Sequence, residues 1–206
     1  MVSTGVKDHE QLTYRVSSLT SLADAGDAQA QADLAQIYCR TDLNIRDGAK
    51  AFHYAKLSAD QGNADGQYAL GYCYFDGFGV ERDESLAAHW YGAAARQGLA
   101  SAQSMFGSFC SEGAGGVPVN DEEAFQWWSR SAAQGHPWGL YNFGYALLHG
   151  QGSLQDIKRG REAMKQAAAL GNSMACEWLV KHPDGTARPW LAESLYANLP
   201  SSQKEG

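Results

Sequence analysis

These 206 residues predict an all-α chain of about four helical hairpins stacked one after another, and three observations point that way. The dipeptides Ala25-Gly26, Gln61-Gly62, Gln97-Gly98, Gln134-Gly135 and Leu170-Gly171 space their glycines by 36, 36, 37 and 36 residues. Eight residues beyond each glycine stands a large apolar side chain (Leu34, Leu70, Phe106, Phe143, Leu179), followed in four of the five copies by Ala or Gly. Midway between successive glycines lies a helix-capping residue: Asp47, Asp83, Asn120 or Asp156. A period of this length marks a repeat architecture, in which each unit buries its apolar stripe against its neighbour. It also explains about ten of the 23 glycines, which would each cost roughly 1 kcal/mol inside a helix but are favourable at a helix end or in a turn.

Taken in order, residues 9–24 (HEQLTYRVSSLTSLAD) form a lone second-type helix, so that 1–25 are an N-terminal segment and cap. Repeats then occupy 26–61, 62–97, 98–134 and 135–170, with the first helix of a fifth at 171–181. In the second repeat the first helix runs from Ala64 to Asp76 and stops at Gly77 and Gly79; the second follows Asp83 through Leu86, Ala87, Trp90 and Ala94 to Gln97. Leu70, Tyr74 and Trp90 are its expected core. The extra residue of the third repeat falls in the turn GAGGVPV, and in the first repeat TDLNI replaces the glycine turn. Residues 182–206 break the period: His182-Pro183-Asp184-Gly185 is a turn, Pro189 to Leu199 an amphipathic segment expected to cap the last repeat, and SSQKEG a tail.

The stretch ADGQYALGYCYFDGFGVERD followed by LAAHW, with its partial copy from Phe106-Gly107 through Gly113, Val117, Ala124 and Trp127, resembles the SEL-one-like repeat family. The likeness covers residues 25 to about 181. It implies a right-handed alpha/alpha superhelical solenoid related to tetratricopeptide repeats, and the role of a protein-binding scaffold. Some members staple the two helices of each unit with paired cysteines. Here no second helix carries a cysteine.

Composition narrows the chemistry. Sixteen Lys and Arg against 23 Asp and Glu leave a net charge of -7 with no basic cluster, which disfavours nucleic acid. No apolar run reaches the length of about 20 residues needed to span a bilayer, and the N-terminus lacks a leader's pattern. The expectation is a cytoplasmic protein, or a periplasmic one if a leader has been removed, with a monomer favoured. Cys39, Cys73, Cys110 and Cys176 are scattered singly and read as reduced thiols. The six histidines form no HxxxH or HExxH pattern, and GFGV and GAGGV lack the Lys-Ser/Thr of a phosphate loop. No catalytic residue, cofactor or metal is therefore expected.

By analogy with tetratricopeptide units, the exposed positions of the concave face lie two residues before the large apolar position, and two and five or six after it. They select Tyr68, Tyr72, Phe75 and Asp76 in the second repeat, Ser104, Ser108, Ser111 and Glu112 in the third, and Tyr141, Tyr145, Leu148 and His149 in the fourth. Asp65, Ser101 and Trp138 lie one turn earlier. A small polar floor between two aromatic walls is the expected partner site, its acidic rim suited to a basic partner surface. Two roles fit: an adaptor that captures a segment of another protein, or an inhibitor or immunity-type protein that plugs a toxin enzyme, as some bacterial proteins with these repeats do. An enzyme is the least favoured class.

Overall fold

A computed structural model describes residues 3–40 and 45–183, with side chains from residue 11 onward. The described residues hold the helices α1 (Ser3–Asp24), α2 (Ala28–Cys39), α3 (Gly48–Asp60), α4 (Ala64–Asp76), α5 (Glu84–Arg96), α6 (Ala100–Glu112), α7 (Asp121–Ala133), α8 (Pro137–His149), α9 (Ile157–Ala169) and α10 (Ser173–Lys181). A 3-10 turn (Ala114–Gly116) follows α6, and no strand occurs among the described residues. The chain divides into two compact units between Val119 and Asn120. The amphipathic segment from Pro189 to Leu199 and residues 41–44 of the first turn lie outside the described residues.

The helices begin where the capping residues stand. Asp47, Asp83, Asn120 and Asp156 each accept the backbone N–H three residues on, at 2.9 to 3.1 Å. First-type helices are capped in the same way by Asp27, Asn63 and Asn172, and by the Nδ1 of His136, which accepts from Gly139 at 3.3 Å. Burial lowers the His136 pKa and so favours the neutral ring that this acceptor role requires. The turns between helices depend on glycine. At Gly98 φ is +96°, yet no atom lies within 4 Å of where a Cβ would stand, so backbone conformation alone selects glycine. Gly79 is selected by space, since a Cβ there would sit 1.9 Å from the Gly48 carbonyl oxygen.

In the first unit α1 packs on α2, each helix through α5 packs on the next, and α2 also meets α4. Leu34, Leu70, Cys73, Ala51 and Ala55 centre one core, and Tyr74 and Trp90, expected in it, pack against it half-buried. Tyr91, buried with Ala87, Ala88 and Phe109, centres a second. The lengthened turn of the third repeat folds against α5 as the 3-10 turn, where a Cβ on Gly115 would lie 2.3 Å from the Glu84 carbonyl oxygen. In the second unit α7 to α10 pack in succession around Leu140, Leu148, Met164 and Ala167. At the end of α10 the Trp178 and His182 rings stack at 4.5 Å, and Arg161 of α9 donates to the His182 carbonyl at 3.0 Å.

Two kinds of seam recur. The glutamine before the period glycine is a hydrogen-bonding side chain: Gln61 donates to Gln31, and Gln97 to Gln67, each at 2.8 Å. In the fourth repeat the corresponding residues are both leucine, Leu140 and Leu170. Where a second helix meets the following first helix, Ser58 faces Gly66 and Ser131 faces Gly139, and the equivalent repeat positions hold Ala94 with Ala102 and Ala167 with Ala175. All four Ser and Ala side chains on the second helices are fully buried. Serine is matched by glycine and alanine by alanine, so the residues at the seam stay small together, as close packing demands.

Candidate functional site

In the first unit, Gln36 and Cys39 of α2, Asp65, Tyr68, Ala69 and Tyr72 of α4 and Ser101 of α6 line an open pocket of about 380 Å³. The first helices α2 and α4 pack on one another, so residues 36 apart come to neighbouring places there, as Gln29 and Asp65 do. Tyr68 rests its ring 5.4 Å from Tyr91, and burial raises the pKa of its phenol. Tyr72 lies 6.4 Å from the Phe78 ring. Its pKa is pushed up to about 12, first by burial, then by the hydrogen bond and charge of Asp76, with Arg46 opposing. Asp65 accepts from Gln29 at 3.4 Å, and Asp76 is exposed.

Two expectations for this unit need correction. Ser104 is buried, with 3% of its surface accessible, and forms no floor. Its repeat position is that of Tyr68 and of the fully buried Ala32, a place at the helix seam from which a phenol reaches solvent and a hydroxymethyl does not. Ser108 is half-buried, its hydroxyl donating to the Ser104 carbonyl at 3.4 Å, and Glu112 is exposed. Phe75 is half-buried and spent on packing, edge-on to Phe109 of the next first helix at 5.8 Å, with the Arg82 guanidinium over its ring.

In the second unit the spacing of Trp138, Tyr141, Tyr145 and His149 places four rings on one face of α8. Ring centroids are 5.9, 6.3 and 4.2 Å apart along the series. Trp138 is 50% exposed and Tyr145 39%, while Tyr141 is half-buried, its phenol pKa raised by burial, then by Tyr145 and by Glu177 of α10. Beyond Tyr145, a polar pocket of about 360 Å³ is lined by Asp121, His149, Gly150, Gln151 and Gly152; Gln151 donates to Asp121 at 2.8 Å. Leu148, expected on this face, is fully buried. Its Cγ lies 2.7 Å from where a Cβ of Gly160 would be, so the leucine fills the space that glycine leaves on α9. Among the described residues no three His, Cys, Asp or Glu side chains gather as a metal site.

The Sel1 repeat family matches this chain at residues 28–63, 64–99, 100–136 and 139–172. The chain belongs to the Sel1 repeat family. Its hairpin fold is that of solved Sel1 proteins: a Sel1 repeat protein from Oxalobacter formigenes (TM-score 0.66, 31% identity, 81% of this chain and 48% of that one). A protective antigen of uropathogenic Escherichia coli, described as displaying this repeat fold, aligns with TM-score 0.70 and 33% identity over 81% of this chain and 36% of its own. Among curated relatives, the chitin synthase regulator SKT5 of Malassezia restricta is 31% identical over 150 residues, 70% of this chain and 10% of that protein. The Saccharomyces cerevisiae chitin synthase regulator SKT5 is 29% identical over 187 residues, 89% of this chain and 26% of the regulator. The Sel1 repeat chain thus spans a tenth to about a quarter of the length of these regulators. No helix among its described residues is long and apolar enough to cross a membrane.

Proposed function

We propose that this Sel1 repeat chain is a non-catalytic scaffold that binds a segment of another protein on the exposed faces of its first-type helices. The observation that carries the reading is the run of rings along α8, from Trp138 at 50% exposed to His149. Aromatic side chains left partly in water lose apolar burial that a partner restores at small entropic cost, which is why Tyr and Trp recur at binding hot spots. The Tyr68 and Tyr72 pocket of the first unit offers a second such surface, with Asp65 at its edge and the exposed Asp76 bonded to Tyr72. These acidic neighbours and the net charge of -7 favour a partner segment bearing Lys or Arg. Relatives named as regulators of chitin synthase support a role exerted by binding an enzyme or its assembly.

The test compares wild type with Trp138→Ala/Tyr141→Ala and Tyr72→Ala in affinity capture from the native host, followed by titration of each recovered partner. Loss of a hot-spot aromatic costs about 2 kcal/mol or more, roughly a thirtyfold weaker complex. Partners recovered in equal yield and bound equally well by all three proteins would rule the faces out.

A further inference from the structure

Of the four cysteines, two come together. Cys39 ends α2, is half-buried, and lines the pocket beside Tyr68 and Tyr72. Cys73, on the neighbouring first helix α4, is fully buried in the core against which Cys39 packs. The two side chains approach where Cys39 packs against that core, closely enough for their thiols to influence each other's ionisation. The contact joins two first helices across a repeat boundary, and it arises because Cys39 stands two residues later in its repeat than Cys73 does in the next.

The surroundings distinguish the two sulfurs. The neighbouring Cys73 thiol holds the Cys39 thiol below its ordinary pKa; burial opposes this, the Arg46 guanidinium assists, and Asp76 opposes. Cys73 moves the other way, raised by the neighbouring Cys39 and by burial. One sulfur is therefore biased towards thiolate at the wall of an open pocket, and the other is a protonated neighbour sealed behind it. A nucleophilic thiolate with a partner thiol in reach is what thiol oxidation by peroxide requires.

We propose that Cys39 and Cys73 form a peroxide-oxidised dithiol in the pocket wall, with Cys39 the reacting sulfur and Cys73 the resolving one. The Cys39 thiolate attacks one oxygen of hydrogen peroxide or an organic hydroperoxide. The O–O bond breaks, the leaving hydroxide or alkoxide takes a proton from solvent, and Cys39 becomes a sulfenic acid, two electrons having passed from sulfur to oxygen. The Cys73 sulfur then attacks the Cys39 sulfur; the S–S bond forms, the S–O bond breaks, and the hydroxyl departs as water with the Cys73 proton. Two thiols and one hydroperoxide yield one disulfide and two molecules of water, or water and an alcohol. The bridge ties α2 to α4 beneath Tyr68 and Tyr72, and its formation does not depend on any partner occupying the pocket.

Cys176 is the internal standard, because it is exposed and accessibility alone would make it react first. Wild type, Cys39→Ser and Cys73→Ala, matched for helicity by circular dichroism, are treated with limiting iodoacetamide at neutral pH and, separately, with hydrogen peroxide. Peptide mass mapping then reads each site. We expect Cys39 to alkylate several-fold faster than Cys176, and to lose that lead in Cys73→Ala. Peroxide should link the Cys39 and Cys73 peptides in wild type, leave Cys73 unmodified in Cys39→Ser, and give a dimedone-trapped sulfenic acid at Cys39 in Cys73→Ala. Faster alkylation of Cys176 than of Cys39 overturns the proposal, as does peroxide treatment that yields no bridge or a bridge between any other pair.

Discussion

The Ser58–Gly66 seam allows a quantitative test of how the repeats are held together. Ser58 donates to the Ala28 carbonyl at 2.6 Å, and a Cβ on Gly66 would stand 2.2 Å from its Oγ, 2.4 Å from its Cβ and 2.9 Å from the Ala59 backbone nitrogen. Because backbone as well as side chain is in the way, Gly66→Ala must push α3 and α4 apart, an overpacking cost near 3 kcal/mol, offset by about 1 kcal/mol of helix propensity. The net loss is about 2 kcal/mol, or roughly 4 to 8 °C in melting temperature for a chain of this size. Ser58→Ala forfeits one hydrogen bond, about 1 kcal/mol. The double variant recreates the pair found at Ala94 and Ala102, both fully buried. Separation of the helices already stretches the Ser58 bond, so removing the hydroxyl then costs little and relieves the closest contact. We expect the double variant to be more stable than the sum of the single losses by about 1 kcal/mol. Urea unfolding of the four proteins, followed by circular dichroism, closes the cycle. A Gly66→Ala protein within about 0.5 kcal/mol of wild type, or strict additivity, refutes the seam as described.

Gly98→Ala isolates the opposite cause, since no neighbour lies within 4 Å of the new methyl group and φ is +96°. It should cost about 1–2 kcal/mol from backbone conformation alone, and Gly98→Asn less; equal melts for Ala and Asn would argue against that origin. Tyr72 makes stability fall in alkali. Its folded pKa of about 12 stands above the ordinary phenol value of 10.0, so the protonated phenol favours the folded state, fully below pH 10.0 and progressively less as the pH climbs to about 12. Wild type should lose stability faster than Tyr72→Phe across that window in denaturant titrations, and parallel curves would contradict the assignment.

Much of the architecture is legible in the chain because helix ends are chosen by local chemistry. Asp47, Asp83, Asn120 and Asp156 cap as expected, and the stop at Gly77 falls where a left-handed residue was needed. The first-helix caps Asp27, Asn63 and Asn172 follow their glycines directly and were equally readable, whereas Leu99 after Gly98 has no side chain that can cap. The glutamine before the glycine was visible as a pattern without a reason, since its partner lies 30 residues back in the chain.

The candidate site was less legible, and the cause is the same throughout. Repeat register assigns a residue to a helix face, and that much the amino-acid order decides by itself, through the period near 36 and the 3.6-residue turn. Whether a side chain on that face meets water depends on what the neighbouring helix offers. Ser104 is too short to clear the seam that Tyr68 overreaches, Leu148 sinks into the space left by Gly160, and Phe75 is claimed by Phe109. The contact between Cys39 and Cys73 belongs with these, because its two residues stand at different places in their repeats and only helix packing sets them side by side. Local backbone preference, written residue by residue, set the hairpins; exposure and pairing are properties of two helices at once and emerged only when the helices packed.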